Sequence, residues 1–313
     1  MNSAARWTAL NLKRSLIRCT GNKAETSQFL QGLVTNDINH FENGSASIYA
    51  LFLNKLGRVL YDTIIYKPQA KNPDHDEFLI ECDSKIVSNL TKHLKLYRVR
   101  RKIDINDVSD ELNLWFIQQT NNTKLPEANK IVSISADPRM KDFGIRVITA
   151  KDDKLENSLK GLQLEESSYD EYTQNRYKLG ICEGIVEIPP EKSFPLESNC
   201  DYMHGVSFQK GCYIGQELTA RTHHTGVVRK RIMPLEFNQP IVMKEGEVLD
   251  VKNEENENVG KIRNVSGKFG LGLLRIDQVL SAKSLTVNEN QCSTAKPQWW
   301  PIEASKTSQI PKN

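Results

Sequence analysis

The chain has 313 residues, of which 38% are hydrophobic and 26% charged, and its formal net charge at pH 7 is +3. This length accommodates two or three domains with cores of their own, and the composition is that of an ordinary soluble globular protein. The small net charge gives no argument for a nucleic-acid partner, and without an apolar run of about 18 residues no membrane span is expected.

The N-terminal segment is basic. Five cations precede the first acidic residue, Glu25, and these are Arg6, Lys13, Arg14, Arg18 and Lys23. Such a bias is typical of a mitochondrial presequence. A strand predicted at residues 15–19 leaves little room for a cleavable peptide, so a presequence and a folded first segment both remain open.

Strands and helices alternate in the first half of the chain. Asn22 can cap a helix over 23–34, and Asp83 or Ser84 can cap a second helix whose apolar residues recur every four positions from Ile86. Strands are expected at 15–19, in a hairpin at 47–66 that turns at Gly57, and at 78–82, 112–117, 131–135 and 145–149. This order indicates an α+β unit with a mainly antiparallel sheet.

The pattern changes towards the C-terminus. A helix is predicted at 166–179, an irregular proline-containing segment at 181–209, and a further helix from Ile214. Short strands with turn signals follow at 232–237, 248–251, 261–266 and 270–276. They predict a small β-barrel or curled sheet.

Several polar and aromatic residues are interpreted as structural. Asn36 and Asp37 are good turn and capping residues, which favours that role over catalysis. Asp62 lies inside a predicted strand and is expected on the solvent face, unless the opposite face is a pocket. Trp299 and Trp300 are expected to pack on the body of the protein.

Residues 95–102 read KLYRVRRK and carry five positive charges in eight residues. Cations at the C-terminus of a helix complement its dipole, but five exceed that need. The excess indicates either a patch for an anionic ligand or an acidic partner, or an ordinary solvated face.

Residues 210–217 read KGCYIGQE and concentrate more chemistry than any other stretch. Cys212 would lie near the N-terminus of the helix predicted from Ile214, where the helix dipole and Lys210 would stabilise a thiolate. A thiolate is a nucleophile and a soft metal ligand. The alternative is that Cys212 is a small buried hydrophobic residue, and the sequence leaves both open.

Six cysteines are spread widely along the chain, at positions 19, 82, 182, 200, 212 and 292, and none forms a C-x-x-C pair. This spacing argues against a self-contained zinc or ferredoxin-type cluster site. Because no secretory signal is visible, reduced thiols are expected.

The string KGCYIGQE resembles the signature of the YgfZ/GcvT-like family. Its continuation, LTARTHHTGVVRKR, is similar to the eukaryotic mitochondrial branch, whose members are iron–sulfur cluster assembly factors that also carry a transferase label. Similar strings cover most of the chain, at LVTNDI (33–38), FLNKLGRVLYDTIIY (52–66), FLIECDS (78–84), HLKLYRVRRKI (93–103), FPLESN (194–199) and QWWP (298–301).

The resemblance implies an α+β fold like that of the aminomethyltransferase of the glycine cleavage system. That fold has two interleaved α+β domains and a C-terminal β-barrel around a central opening. The implied domains are a discontinuous one at 1–48 and 160–230, which carries the motif, an inserted one at 49–159, and the barrel at 231–313.

The transferase relatives bind tetrahydrofolate, and a glutamate in a segment like PLESN holds the pterin. Glu197 matches that position, and a carboxylate can accept two parallel hydrogen bonds from a pterin. Lys210 and Arg176 would meet the carboxylates of the folate; otherwise Arg176 forms a surface ion pair. The implied binding residues are Cys212, Lys210, Gly211, Tyr213, Gly215, Gln216, Glu217, Glu197 and Arg176.

The mitochondrial branch is linked to maturation of [4Fe–4S] proteins in the matrix, together with A-type scaffold proteins. One cysteine cannot hold a cluster that usually needs four ligands. Cys212 would therefore supply one ligand to a shared cluster, and a partner the others. His223 and His224 are either secondary ligands or, as we favour, a structural pair at a helix end.

Three functions remain open from the sequence. The first is an assembly factor that acts through Cys212. The second is a tetrahydrofolate-dependent one-carbon transferase or redox enzyme built on Glu197, and the third is a structural hinge at the two glycines of the motif. No catalytic residue is assigned, although Cys212 is a candidate reactive thiol.

Overall fold

The computed structural model of the chain describes residues 7–69, 74–119, 127–159, 162–244 and 246–302. The chain divides into two compact units, which we call unit 1 and unit 2. Unit 1 comprises residues 1–55, 60–169 and 203–214, and unit 2 comprises 56–59, 170–202 and 215–313. The three-domain division implied by the family resemblance stays a prediction.

Two short 3-10 helices, Ile38–Phe41 and Ser84–Ile86, lie in the first half of the chain. Its other elements among the described residues are nine strands and three α-helices. They are β1 (Trp7–Asn11), β2 (Arg14–Asn22), α1 (Lys23–Gln31), β3 (Ser47–Leu53), β4 (Val59–Tyr66), β5 (His75–Asp83), α2 (Val87–Arg98), β6 (Ile103–Asp107), β7 (Leu112–Gln119), β8 (Ser133–Ala136), β9 (Ile145–Ala150) and α3 (Leu155–Ser158).

The remaining elements run from Leu164 to the end of the described chain. They are β10 (Leu164–Glu166), α4 (Tyr169–Leu179), α5 (Gly184–Glu187), α6 (Gln216–Thr225), β11 (Lys230–Phe237), β12 (Asp250–Asn253), β13 (Asn258–Ser266), β14 (Phe269–Arg275), α7 (Ile276–Ser281), β15 (Leu285–Val287) and β16 (Asn290–Ser293). No helix within the described ranges is long and apolar enough to cross a bilayer.

Unit 1 contains two sheets of five described strands each. One has the order β3-β4-β5-β2-β6, and the other has the order β10-β1-β7-β9-β8. In the first sheet β2 runs antiparallel to β5, from Arg14 opposite Asp83 to Asn22 opposite His75. Helices α1 and α2 contact this sheet and bury Leu30 and Leu94 against it. The mixed α+β architecture and the hairpin at Gly57 agree with the sequence prediction.

A buried ionic network crosses unit 1 and corrects one expectation. Arg146 is fully buried and donates to Glu81 at 2.6 Å and to Asp137 at 2.9 Å. Asp62 was expected on the solvent face, but its side chain is 5% exposed and lies 3.5 Å from the guanidinium of Arg14. The expectation was wrong because a carboxylate inside a strand can be buried when a cation from a neighbouring element pairs with it.

The C-terminal part of unit 2 is a closed barrel with the strand order β11-β14-β13-β12-β15-β16, as the turn-rich pattern predicted. Its core includes Met233, Phe237 and Val251. Trp300 is buried in the same core, and the indole N–H of Trp299 donates to the Leu179 carbonyl at 2.7 Å. The structural interpretation of both tryptophans is confirmed.

Candidate functional site

The KGCYIGQE string lies where the chain passes from one compact unit to the other. Its first five residues, through Ile214, belong to unit 1, and Gly215 begins the following stretch of unit 2. Helix α6 begins at Gln216, two residues later than predicted. The reason is that Gly215 adopts a left-handed conformation, with φ of 79°, which no helix interior allows.

Cys212 carries the accessible thiol of the chain. All six cysteines lie in the described ranges, and Cys212 is exposed whereas the other five are buried. Burial raises the pKa of Cys19, Cys82 and Cys292 to about 12, which keeps these thiols protonated and inert. The alternative that Cys212 is a buried hydrophobic residue is therefore wrong.

Lys210 fixes the chain two residues before this thiol. Its ammonium group donates three hydrogen bonds to backbone carbonyl oxygens, those of Gln31 at 2.7 Å, Val34 at 2.6 Å and Asn36 at 2.9 Å. These carbonyls lie at and just beyond the C-terminus of α1, where helices leave carbonyl groups unpaired. Burial lowers the pKa of Lys210 to about 8, and the charge of Asp37 opposes that shift.

A second anchor lies two residues after the thiol. The amide of Ile214 donates to the Gly32 carbonyl at 3.2 Å, again at the end of α1. Further upstream, Ser207 donates its amide to the Thr35 carbonyl at 3.0 Å, and the Thr35 hydroxyl donates to the Gly205 carbonyl at 2.6 Å. Cys212 is thus presented by a segment that is held on both sides.

The residues beside Cys212 differ in their surroundings. A Cβ added to Gly211 would meet no atom within 4 Å, so no close contact within the described chain requires glycine there. The Tyr213 ring lies under the Lys210 ammonium, 4.9 Å from its centroid, and burial raises the tyrosine pKa to about 12. The open side at Gly211 and the packed side at Tyr213 define which face of the segment is accessible.

Asn36 links the anchors to the sheet of unit 1. Its side-chain amide donates to the Tyr49 carbonyl at 2.7 Å and to the His204 carbonyl at 2.8 Å. Asp37 accepts from the Asn39 amide, the capping role expected for it. Sequence reasoning identified Asn36 only as a turn residue and missed that it supports the Cys212 segment.

Unit 2 contains a second candidate site, a cavity of about 320 Å³ beside Glu197. It is lined by Phe194, Pro195, Leu196, Glu197, Leu218, Thr219, Thr222, Val227, Val228, Arg229 and Lys230. The Glu197 carboxylate forms no hydrogen bond or ion pair with a described residue. Burial raises its pKa, and the charges of Lys230, Arg263 and Arg58 oppose that shift.

The PLESN segment that carries Glu197 is held by Arg231. This guanidinium donates to both carboxylate oxygens of Asp201 at 2.8 Å and to the Leu196 carbonyl at 2.6 Å. It also lies 3.7 Å over the ring of Tyr202. Arg231, the last residue of the string LTARTHHTGVVRKR, is 4% exposed and works as a structural anchor.

Arg176 was expected either to reach a folate carboxylate or to form a surface ion pair. It is 3% exposed, so the surface expectation was wrong. Its guanidinium donates to both carboxylate oxygens of Glu187, at 2.7 and 3.0 Å, and to the Ile181 carbonyl. The aligned fork of arginine satisfies a buried carboxylate well, which makes this pair a fastening between α4 and α5.

The two histidines of α6 lie side by side at the exposed C-terminal end of the helix. Their ring centroids are 5.1 Å apart in a T-shaped arrangement. Burial and the charge of His224 lower the pKa of His223, and the Asp201 charge opposes them. Gln216 and Glu217 form the first turn of the same helix, and Glu217 is exposed.

The predicted binding residues therefore fall into two groups. Unit 1 holds Lys210, Gly211, Cys212 and Tyr213 on one anchored segment. Unit 2 holds Glu197, Arg176, Gly215, Gln216 and Glu217. Within the described part of the chain, no set of three or more His, Cys, Asp or Glu side chains is placed to hold a metal ion.

Comparisons with known proteins identify the family. Residues 229–302 match the family model of the CAF17 C-terminal beta-barrel domain. The chain is 37% identical over 318 residues to the mitochondrial iron-sulfur cluster assembly factor IBA57 of Mus musculus, covering 95% of this chain and 87% of the relative. It belongs to the IBA57 family. The same factor of Homo sapiens is 37% identical over 327 residues, covering 96% of this chain and 87% of the relative.

Membership of the IBA57 family confirms the mitochondrial branch that the continuation LTARTHHTGVVRKR indicated. The fold is confirmed separately by a solved structure, the glycine cleavage system aminomethyltransferase T from Bartonella henselae. It superposes with a TM-score of 0.69 at 14% sequence identity, over 94% of this chain and 86% of that one. At that identity the likeness shows the fold alone.

Proposed function

We propose that this chain is a mitochondrial-matrix assembly factor that supports the formation or delivery of [4Fe–4S] clusters together with A-type scaffold proteins. In this proposal Cys212 supplies a thiolate ligand to a cluster that is the cargo of the reaction. The observation that carries it is the exposed thiol of Cys212 on a segment anchored two residues before and two residues after it.

The anchoring suits a ligand that must meet a cluster held by another molecule. A thiol binds iron as the thiolate, so an accessible Cys212 loses its proton when the Fe–S bond forms. A segment already fixed in one conformation does not have to be ordered at that moment, which lowers the cost of association. Because a cluster usually needs four ligands, the other ligands come from the partner.

The test mixes the purified chain with an A-type scaffold that carries a [2Fe–2S] cluster. Visible absorption follows the cluster, and native mass spectrometry gives the composition of the complex. Wild type is expected to form a cluster-bearing heterocomplex, and Cys212→Ser is expected to lose the cluster from that complex while keeping its fold.

Gln209→Ser is the matched control, because Gln209 is an exposed residue of the same segment and carries no thiol. This variant is expected to behave as wild type. The ligand role is wrong if Cys212→Ser retains the cluster in the heterocomplex as well as the control does. A complex absent even with wild type would remove the assembly role with A-type scaffolds.

A second candidate function is the binding of tetrahydrofolate, and the cavity beside Glu197 is the observation that favours it. The residues fit a pterin in two respects. The Glu197 carboxylate has no hydrogen-bond partner among the described residues, and it lies beside the apolar side chains of Leu196 and Val228. A bound pterin would supply the donors that this carboxylate lacks and would stack on an apolar wall.

Calorimetry with tetrahydrofolate tests this candidate. Wild type is expected to bind with micromolar affinity, and Glu197→Gln is expected to lose most of it, because an amide replaces one of the two acceptor oxygens by a donor NH2 group and cannot accept two parallel hydrogen bonds from a pterin. Glu191→Gln is the control, since Glu191 is exposed. No heat with wild type, together with no competition by a folate analogue, would remove the candidate without affecting the assembly proposal.

A further inference from the structure

We propose that the C-terminal end of α2 is a docking surface for a second protein whose contact face has carboxylates around an apolar centre. We call this surface the basic–apolar patch. It consists of Lys92, Lys95, Leu96, Val99, Arg100 and Lys102, all of which are exposed.

The charge of the patch is uncompensated. Between Asp83 and Asp104 the chain has seven cations and no acidic residue. None of the seven is within 4.0 Å of a carboxylate oxygen of any residue that the structure describes. An ordinary solvated helix face mixes both signs of charge, so a run of one sign over this length favours a negatively charged partner.

The centre of the patch is apolar. Leu96 is 72% exposed and Val99 is 73% exposed, although both are large aliphatic side chains. Lys92, Lys95, Leu96 and Val99 follow the spacing i, i+3, i+4 and i+7, which places them on one face of the helix and its end. The opposite face, with Leu90 and Leu94, is buried in unit 1. An apolar centre with a charged rim is the arrangement of a protein–protein contact.

Val99 adds an independent observation. Its backbone has φ of 53° and ψ of −108°, a conformation that a β-branched residue rarely adopts. The side chain points into solvent, so its burial does not offset the cost of this backbone strain. The turn at this position does not require a valine either. Backbone strain of this kind clusters at functional sites, and here it coincides with an exposed apolar side chain.

The patch has a rigid base. Arg98 donates to the Ile103 carbonyl at 2.9 Å, and Arg101 lies over the ring of Phe29, 5.8 Å from its centroid. Phe29 belongs to α1, the helix whose C-terminal carbonyl at Gln31 accepts from Lys210. The patch and the Cys212 segment are therefore both fastened to α1, within unit 1.

A protein fits this surface better than a nucleic acid or a membrane. Single-stranded nucleic acids stack on aromatic rings, whereas the exposed centre here is aliphatic. Stable membrane binding needs a larger apolar face than two side chains supply. Carboxylates around an aliphatic contact complement both features of the patch.

The inference rests on the proposed function in one respect: the natural occupant is the protein that shares the cluster at Cys212. The binding chemistry of the basic–apolar patch is nevertheless tested without that protein. The probe is a short labelled helical peptide in which glutamates surround two leucines, and a second peptide has every glutamate replaced by glutamine. Fluorescence anisotropy measures their affinity for the full chain at low and high salt.

Three variants divide the contributions. Lys95→Glu with Arg100→Glu reverses the charge, and Leu96→Ser removes an apolar contact. Val99→Gly removes the other apolar contact and relieves the backbone strain at this position. It should therefore raise the thermal stability of the chain while lowering its affinity for the peptide. Each is expected to weaken binding of the acidic peptide about tenfold or more. The glutamine peptide should bind weakly to wild type, and salt should weaken the acidic one.

Matched controls lie elsewhere on the chain. Lys141→Glu with Lys151→Glu makes the same change in net charge at exposed positions of unit 1, and Val242→Ser removes an exposed valine of unit 2. Both should bind the acidic peptide as wild type does. The same variants are then titrated with the [2Fe–2S]-loaded scaffold, where patch variants should raise Kd and Cys212→Ser should lose the cluster.

Several outcomes would overturn the inference. One is that the charge reversal abolishes peptide binding while Leu96→Ser and Val99→Gly leave the affinity unchanged. A site that binds any polyanion would behave in this way. Another is tighter binding to duplex DNA or to vesicles of anionic phospholipid than to the acidic peptide. A third is patch-dependent self-association in sedimentation. A scaffold that fails to bind wild type, with the peptide results as expected, would reject the proposed function and leave the patch standing.

Discussion

The Lys210 ammonium lies 2.6 Å from the carbonyl oxygen of Val34, a residue 176 positions earlier in the chain. This contact joins the segment of the exposed thiol to the end of the first helix. Because two further carbonyls accept from the same ammonium, all three of its N–H groups are used inside unit 1. Lys210 is thus a positioning residue for Cys212, and its donors are committed to the fold.

Replacing Lys210 by methionine should therefore loosen the segment that presents the thiol. Methionine keeps most of the side-chain volume but donates no hydrogen bond, so three carbonyls lose a charged donor. We expect the free energy of unfolding to fall by about 2–4 kcal/mol. Hydrogen exchange of residues 203–214 should accelerate, and native-state alkylation of Cys212 should become faster.

Lys192→Met controls for the general loss of a lysine charge, because Lys192 is exposed. That variant should match wild type in stability and in exchange. If Lys210→Met leaves exchange of 203–214 unchanged, the three carbonyl contacts do not hold the segment in solution.

Gly211 gives a test that separates folding from partner binding. A Cβ there meets nothing within 4 Å, so Gly211→Ala should change the free energy of unfolding by less than about 0.5 kcal/mol. If a partner approaches the backbone beside Cys212, the same substitution should weaken the cluster-bearing heterocomplex. Denaturant unfolding and the visible absorption of the complex measure the two effects.

Gly260→Ala is the contrasting control. Its Cβ would lie 2.5 Å from the Leu274 side chain and 2.7 Å from the Leu273 carbonyl, so this barrel variant should be clearly destabilised. A large loss of stability in Gly211→Ala would mean that the segment packs more tightly in solution than the structure describes.

Much of the fold follows from local pattern. Asn22 caps α1, as expected from its position before the apolar stripe, and the barrel strands lie close to the predicted runs. Strands β1, β6, β10, β15 and β16 were not predicted, because three to five residues carry too little periodicity and each pairs with a strand far away in sequence. Helix α1 ends at Gln31 and not at residue 34, since the chain turns there to place its carbonyls around Lys210.

The candidate site, like the fold, could be predicted from the sequence only in part. The accessible thiol of Cys212 could be anticipated, because residue type and flanking sequence carry that information. Its anchors could not, because Lys210 bonds to backbone carbonyls, and any residue can supply a carbonyl. Local sequence also places Asp62 and Arg176 at the surface, but both are buried, because each pairs with a charged residue of another element.

The buried ionic network of unit 1 predicts an acid-sensitive fold. Burial alone would raise the pKa of Asp137, but the charges of Arg139 and Arg146 overcome it and hold the pKa at about 2. The ionised Asp137 carboxylate therefore stabilises the folded protein above pH 3.8, the ordinary pKa of the group. This contribution to the free energy of unfolding is lost as the pH falls towards about 2. Asp137→Asn should cost about 3–5 kcal/mol at pH 7, because it removes the buried carboxylate charge that pairs with both Arg139 and Arg146.

Chemical denaturation between pH 2 and 7 measures this effect, with Asp152→Asn as the control for an exposed aspartate of unit 1. Wild type and the control should lose stability together on acidification. The variant at position 137 should show a smaller loss, since its side chain cannot titrate. Equal pH slopes in all three proteins would mean that Asp137 does not contribute to the acid transition.

Glu197 should have the opposite pH dependence. Burial raises its pKa above the ordinary value of 4.5, so the folded protein holds this proton to higher pH than the unfolded chain does. The stability contributed by the protonated carboxyl is present below pH 4.5 and is lost as the pH rises through the folded pKa.

Glu197→Gln cannot ionise, and it should match wild type at low pH and exceed it in stability at pH 7. Urea unfolding of both proteins across this range measures the difference, and Glu191→Gln should show none. If Glu197→Gln is less stable than wild type at pH 7, the protein itself solvates the carboxylate. If the variant is more stable, the charge of Glu197 destabilises the fold, as expected of a group retained for a ligand.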